Sequence, residues 1–207
     1  SLRSYYLKDF SLARYRRGPA FFFNVDDDTL GERTGRPDLM LSLALHALLQ
    51  EKPGVALEAL TVALEQVPRY DAMHYWAGWV LWTLDRRDSA RAELQAAGVV
   101  LDASPAPEIP RALRMVAAGD TAGAMRLMTE AVRRHPFDPG AHALLSDLLQ
   151  SRPDGLSGAA MEAYAARALA PGHARNWWRW GYAQARFGRF EQAVPSIERF
   201  LALGGGD

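Results

Sequence analysis

The same alternation of small and large apolar residues recurs at a fixed spacing along this chain of 207 residues. Ala56 and Leu60 are followed by Ala90 and Leu94, and after the same interval by Ala124 and Met128. We call the interval from Ala56 to Ala90 the period. Small and large residues three and four apart are typical of a helix that packs closely on its neighbour. Because a fixed period several helical turns long indicates stacked structural repeats, we expect one helical unit to be used several times.

The clearest single unit covers residues 174–203, ARNWWRWGYAQARFGRFEQAVPSIERFLAL. It predicts two short helices that meet at Gly188. Gly181 and Ala193 would let the two helices approach closely, and bulky residues such as Trp177 would fill the remaining space. The pattern resembles the tetratricopeptide repeat (TPR), whose signature runs W-x2-L-G-x2-Y, then A-x3-F, then a closing Pro.

The resemblance implies an all-α fold, a right-handed α-α superhelix (a TPR solenoid) of antiparallel helix pairs with a concave groove lined by the first helix of each pair. About five units are expected over residues 37–203, at 37–70, 71–104, 105–138, 139–172 and 173–203. Residues 1–36 do not fit the repeat and are predicted to form a capping or extended segment. Residues 204–207, which begin with three glycines, are predicted to be a flexible tail.

Prolines and polar residues predict local departures from the pattern. Pro107 and Pro110 interrupt the first helix of the third unit, so that helix is expected to run from near Pro110 to Ala118. Pro195 is expected to delay or kink the last helix. Asp88 and Thr121 are the predicted N-caps of two second helices.

The groove-facing slots of the family supply the candidate partner-binding residues. They are Leu41, Leu45 and Leu48 in the first unit, Tyr75, Trp79 and Trp82 in the second, and Arg175, Trp178, Arg179, Tyr182 and Arg186 in the fifth. Aromatic and Arg side chains are the types enriched where binding energy concentrates. The alternative is that these rings are core, as we expect for Trp76, Trp177 and Trp180.

Phe21, Phe22 and Phe23 form an apolar run within the segment that precedes the repeats. Three consecutive side chains cannot all point the same way on a helix or a strand. We therefore expect this run to dock on protein, and a self-docked position in the groove of the first two units is one hypothesis.

Composition narrows the classes of function. The formal net charge is zero and there is no Cys, which excludes thiolate chemistry and disulfides. No nucleophile–base pattern, metal-ligand spacing or cofactor motif is found, so no enzyme, metal or cofactor is expected. No apolar run is long enough to span a membrane. The Arg-rich fifth unit, with Trp178 and Tyr182 interleaved, favours an acidic peptide and disfavours nucleic acid.

The predicted function is a non-enzymatic protein–protein interaction scaffold that binds a partner peptide or helix in an aromatic and apolar groove. The alternative is the TPR region of a larger bacterial envelope protein, such as a polysaccharide-secretion scaffold or a membrane glycosyltransferase, that contacts glycan or assembly partners. The Arg-rich composition suggests a bacterial source. The compartment stays open between cytoplasm and periplasm, with targeting information expected outside this chain.

Overall fold

A computed structural model of the chain describes residues 37–205, with the backbone alone for residues 37–39. This part of the chain forms helices and turns without a strand, so the predicted all-α class is confirmed. The helices are α1 (Pro37–Leu49), α2 (Pro53–Gln66), α3 (Asp71–Thr83), α4 (Arg87–Ala96), α5 (Ile109–Ala117), α6 (Thr121–Arg134), α7 (Pro139–Gln150), α8 (Leu156–Leu169), α9 (Ala174–Arg186) and α10 (Phe190–Ala202). Each of the five predicted repeat units contains two of these helices.

The described residues divide into two compact units, 37–93 and 94–205, and the division falls within α4. In the first unit, α1 packs on α2 and α2 packs on α3. In the second compact unit, each helix from α5 to α9 packs on the next helix in the chain. The helices of a pair are joined by turns of a few residues, so they run antiparallel.

The residues that carry the period form the core of the helix pairs. Their side chains are fully buried without exception: Ala56, Leu60, Ala90, Leu94, Ala124 and Met128. The repeat units therefore bury apolar side chains at equivalent helix positions. Burial of apolar surface is the main favourable term in folding. The helix-pair repeat predicted from the sequence is present in the fold.

Glycine at position 181 is required by close packing between α9 and α10. A Cβ atom added there would lie 2.9 Å from Ile197 Cδ1 and 3.0 Å from Ser196 Cβ. Real Cβ atoms essentially never come closer than 3.0 Å to another heavy atom. The close approach predicted at Gly181 is confirmed.

Both predicted N-caps lie inside their helices, Thr121 one residue and Asp88 two residues too far along the chain. Asp120, and not Thr121, is the N-cap of α6, and its carboxylate accepts a hydrogen bond from the backbone N–H of Gly123 at 2.8 Å. Asp88 lies in the first turn of α4, which begins at Arg87. The sequence predicted a side-chain cap at the start of α6. Its position depends on which side chain reaches a free backbone N–H, and here that side chain is Asp120.

The two proline predictions have different outcomes. Helix α5 begins at Ile109 with Pro110 in its first turn and ends at Ala117, close to the predicted range. Helix α10 begins at Phe190 and continues through Pro195, so the predicted delay was wrong. Proline removes one hydrogen bond from a helix interior. Ala193 and Ser196 on either side of it stay buried, and this packing holds the helix together.

Candidate functional site

Three of the six predicted groove residues of the first compact unit are buried. Leu45 and Leu48 are each 1% exposed and Trp79 is fully buried, so they present almost no surface to a partner. Leu41, Tyr75 and Trp82 are half-buried. Helix α3 carries apolar residues on all its faces, and such helices are buried in soluble proteins. Leu45, Leu48 and Trp79 are therefore buried, and their predicted binding role stays a prediction.

The aromatic residues of α3 contact one another edge to face. The ring centroids of Tyr75 and Trp79 lie 6.1 Å apart, and those of Trp79 and Trp82 lie 6.2 Å apart. The Arg87 guanidinium lies 4.1 Å from the centroid of the Trp82 ring. This cluster has the geometry of aromatic packing with one cation–π contact at its edge.

In the second compact unit, the structure brings three of the predicted residues together in one cleft. Arg175, Trp178 and Arg179, all on α9, line an open cleft of about 880 Å³. The rest of its wall comes from α7, the start of α9 and the residue before it, α10, and the turn after α10: Asp147, His173, Ala174, Phe200, Gly204 and Gly205. We call this site the α9 cleft.

One of the two arginines in the α9 cleft is fixed by a carboxylate. Arg179 Nε donates to Asp147 Oδ1 at 2.8 Å, and Arg179 Nη2 donates to Asp147 Oδ2 at 2.7 Å. Two parallel bonds of this kind hold a guanidinium in one orientation. Arg175 is exposed and has no ion pair with any residue in the range 37–205. The cleft therefore keeps one positive charge that a ligand can use.

The aromatic wall of the cleft is partly open to solvent. The Trp178 side chain is 47% exposed, and its ring lies 5.5 Å from that of Phe200 at an angle of 50°. A large exposed indole supported by a second ring offers a preformed surface for stacking. A free guanidinium beside such a surface suits a ligand that combines a negative charge with an apolar group.

Tyr182 and Arg186 do not line this cleft. They lie further along α9, where Arg186 Nη1 donates to the Tyr182 hydroxyl at 2.9 Å and the guanidinium lies 5.7 Å from the ring centroid. The two side chains therefore contact one another. Their predicted binding role stays a prediction.

A repeated contact ties first helices to the turn that precedes them. His74 Nε2 lies 3.0 Å from the carbonyl oxygen of Pro68, and His74 Nδ1 lies 2.6 Å from Glu93 Oε2. In the fourth unit, the His142 ring makes the same two contacts with the carbonyl of Pro136, at 2.8 Å, and with Glu162, at 2.6 Å.

The corresponding position of the fifth unit holds Trp177, whose Nε1 donates to the carbonyl of Pro171 at 2.7 Å. These contacts are structural because each of them satisfies a polar group at the junction of two repeats. The contacts of His74 and His142 are with protein groups.

The residues that the structure describes contain no group of three or more His, Asp or Glu side chains able to hold a metal ion. The helices between residues 37 and 205 include none with the length and apolar character needed to cross a membrane. The Phe21–Phe23 hypothesis falls outside the described residues.

Sequence reasoning missed His173 as part of the site and did not join Asp147 to Arg179. The contact between Asp147 and Arg179 could have been predicted, because these residues are 32 positions apart, close to one period. First helices of neighbouring repeats lie side by side, so residues one period apart, give or take a turn, can meet. Glycines 204 and 205 lay in the segment predicted to be a tail, and no pattern marked them as a cleft wall.

No family model matches the chain, and no curated protein matches it. Several solved helical-repeat structures are similar to it. YrrB, a TPR protein with an unusual peptide-binding site, has 18% sequence identity and a TM-score of 0.44, over 91% of this chain and 94% of YrrB. MamA from Desulfovibrio magneticus RS-1 has 16% identity and a TM-score of 0.43, over 82% of this chain and 95% of MamA. The TPR domain of P58(IPK) has 16% identity and a TM-score of 0.41, over 99% of this chain and 59% of that one.

Proposed function

We propose that this chain is a non-enzymatic protein-interaction scaffold whose α9 cleft binds a peptide with a carboxylate next to an aromatic or apolar side chain. The observation that carries the proposal is the pairing of the exposed Arg175 guanidinium with the exposed Trp178 ring in one cleft. Arg and Trp are the residue types over-represented among side chains that dominate binding energy.

The geometry of the cleft supports a peptide ligand in two ways. The Trp178 and Phe200 rings provide apolar contact area that needs little further ordering, because each side chain has only two rotatable bonds. The Asp147–Arg179 pair is already closed, so the cationic group that remains for a ligand is Arg175. A peptide could place a carboxylate against Arg175 and the next side chain against Trp178, and would then use both the charge and the apolar surface.

The test measures binding of three synthetic peptides to the intact chain by fluorescence anisotropy. One peptide is built on Glu-Phe pairs, one replaces Glu by Gln, and one replaces Phe by Ala. We expect the Glu-Phe peptide to bind most tightly. Trp178→Ala should weaken it by about 30-fold, which corresponds to about 2 kcal/mol. Arg175→Ala should weaken it by about fivefold, and added salt should shrink that effect because the charge is exposed.

The matched controls change exposed side chains of the same types outside the cleft. Phe190 on α10 and Arg111 on α5 are both exposed. Phe190→Ala and Arg111→Ala should leave the affinity for the Glu-Phe peptide unchanged. Equal affinity for the Gln-Phe peptide, or an equal loss on Phe190→Ala and Trp178→Ala, would contradict the proposal.

A further inference from the structure

The last helix of the described chain carries a line of exposed apolar side chains. Phe190, Val194 and Leu201 on α10 are 67%, 56% and 57% exposed. Successive helical residues are rotated by about 100°, so positions i, i+4 and i+11 lie within about 40° of one another. We call these three residues the α10 stripe. The stripe is separate from the α9 cleft, and the inference drawn from it does not depend on the cleft.

The same positions of the preceding second helices are covered by the first helix of the next repeat. Arg167 on α8, which lies one period before Leu201, is only 9% exposed. Its guanidinium carbon lies 5.0 Å from the Trp177 ring and 4.9 Å from the Trp180 ring, both on α9. Ala160, which lies one period before Val194, is fully buried.

Helix α6 repeats the arrangement one unit earlier. Val132 lies 69 residues before Leu201, which is two periods of 34 plus one residue, and the additional residue belongs to the long turn between α7 and α8. Val132 is 3% exposed. It belongs to a buried cluster with Ala141 and Leu145 of α7. The α10 stripe is therefore the face on which, in the two preceding units, a first helix is packed. What fits that face is another helix in the same position.

The charged residues beside the α10 stripe restrict which kind of helix can bind there. Glu198 lies one period after Tyr164 of α8. The Tyr164 ring lies 5.3 Å from that of Trp180 on α9, the helix that covers α8. Glu191 lies seven residues before Glu198, so both fall on the same flank of α10. Both are exposed, and neither has an ion pair with a residue in the described part of the chain. Two α10 helices paired antiparallel would bring these glutamates close together, and like charges repel.

We propose that the α10 stripe binds an amphipathic α-helix of a partner protein that carries Lys or Arg beside its apolar face. The partner helix lies on α10 as α9 lies on α8, with apolar side chains on Phe190, Val194 and Leu201. Its basic residues approach Glu191 and Glu198. Burial of the three apolar side chains supplies the affinity, and the glutamates select a basic over an acidic helix.

The probe for this surface is a peptide with the sequence of residues 174–186, the helix that covers the corresponding face of α8. It carries Arg175, Arg179 and Arg186 and is therefore basic. Isolated helices of this length are marginal in water, so the peptide is held helical by a covalent link on its outer face. A second peptide has Glu at the three Arg positions. We expect the Arg peptide to bind the intact chain at least about tenfold more tightly than the Glu peptide.

Variants of the chain locate the binding surface. Leu201→Asp should lower the affinity for the Arg peptide by at least about tenfold, and Glu198→Lys by about fivefold. The matched control is Leu113→Asp, because Leu113 on α5 is 52% exposed and lies outside the stripe. That variant should bind as the unchanged chain does. Circular dichroism checks the helix content of each variant, and Val194→Asp replaces Leu201→Asp if the latter loses helix.

Three results would overturn the proposal. The first is equal affinity of the Arg and Glu peptides. The second is equal affinity of the Leu201→Asp and Leu113→Asp chains for the Arg peptide. The third is a dimer of the unchanged chain in sedimentation that Leu201→Asp dissociates, because the stripe would then be occupied by a second copy.

Discussion

At the scale of single residues, the histidine at the junction of two repeats is bonded through both ring nitrogens. His74 has the Glu93 carboxylate at one nitrogen and the Pro68 carbonyl at the other. Each partner is an acceptor, so only the doubly protonated ring donates to both. Burial opposes the charged form, but the bonds to Glu93 and Pro68 and the negative charges of Glu93 and Asp71 outweigh it. The pKa of His74 is therefore raised above its ordinary value of 6.5.

A raised pKa makes part of the stability depend on pH. The contribution of His74 is fully present below its unfolded pKa, near 6.5, and is lost as the pH rises through the higher folded value. We expect His74→Gln to lower the free energy of unfolding most at the acidic end of a range from about pH 5.5 to about pH 9, with a difference that shrinks toward the basic end.

Denaturant unfolding at a series of pH values measures this difference. His173→Gln is the control, because His173 is exposed and makes no side-chain capping bond. Its effect on stability should not vary with pH in the same way. A difference for His74→Gln that is constant, or that grows with pH, would show that the charged pair does not form.

At the scale of elements, close contact between the two helices of a unit requires a residue without a side chain. Gly181→Leu should lower the free energy of unfolding by about 1–3 kcal/mol, the usual cost of overpacking, because Ile197 and Ser196 occupy the space. Gly172→Leu is the matched control, since a Cβ atom there would have no neighbour within 4 Å. Guanidinium unfolding compares the two variants. Equal stability of both would show that α9 and α10 are not tightly packed.

The sequence predicts core positions of the helices well where a pattern repeats. It predicts helix ends and helix continuity poorly where they depend on a single residue. Ala90 and Leu94 could be placed in the core from the period alone, because burial at a fixed spacing repeats with the structure. The N-cap at Asp120 and the continuous helix around Pro195 could not be placed in this way. A cap depends on the reach of one side chain, and a helix with an internal proline survives only if its packing compensates.

At the scale of the whole chain, a net charge of zero conceals a local site. The repeat register placed Arg175, Trp178 and Arg179 on the binding face, and the structure finds them in one cleft. The same register placed Leu45 and Trp79 there, and both are buried. A period identifies equivalent positions on each helix, but their exposure depends on what the rest of the chain lays over them. The cleft walls from Asp147 and Phe200 belong to other elements, so register alone could not assemble the site.

The most direct test of the central claim follows the indole N–H resonances of the intact chain during titration with the Glu-Phe peptide. The claim is that the α9 cleft binds a carboxylate beside an aromatic group. It predicts that the Trp178 signal shifts and saturates, while that of Trp82 on α3, the half-buried Trp of the other predicted surface, stays in place. A Trp178 signal that does not move at saturating peptide, or a Trp82 signal that moves instead, would contradict it.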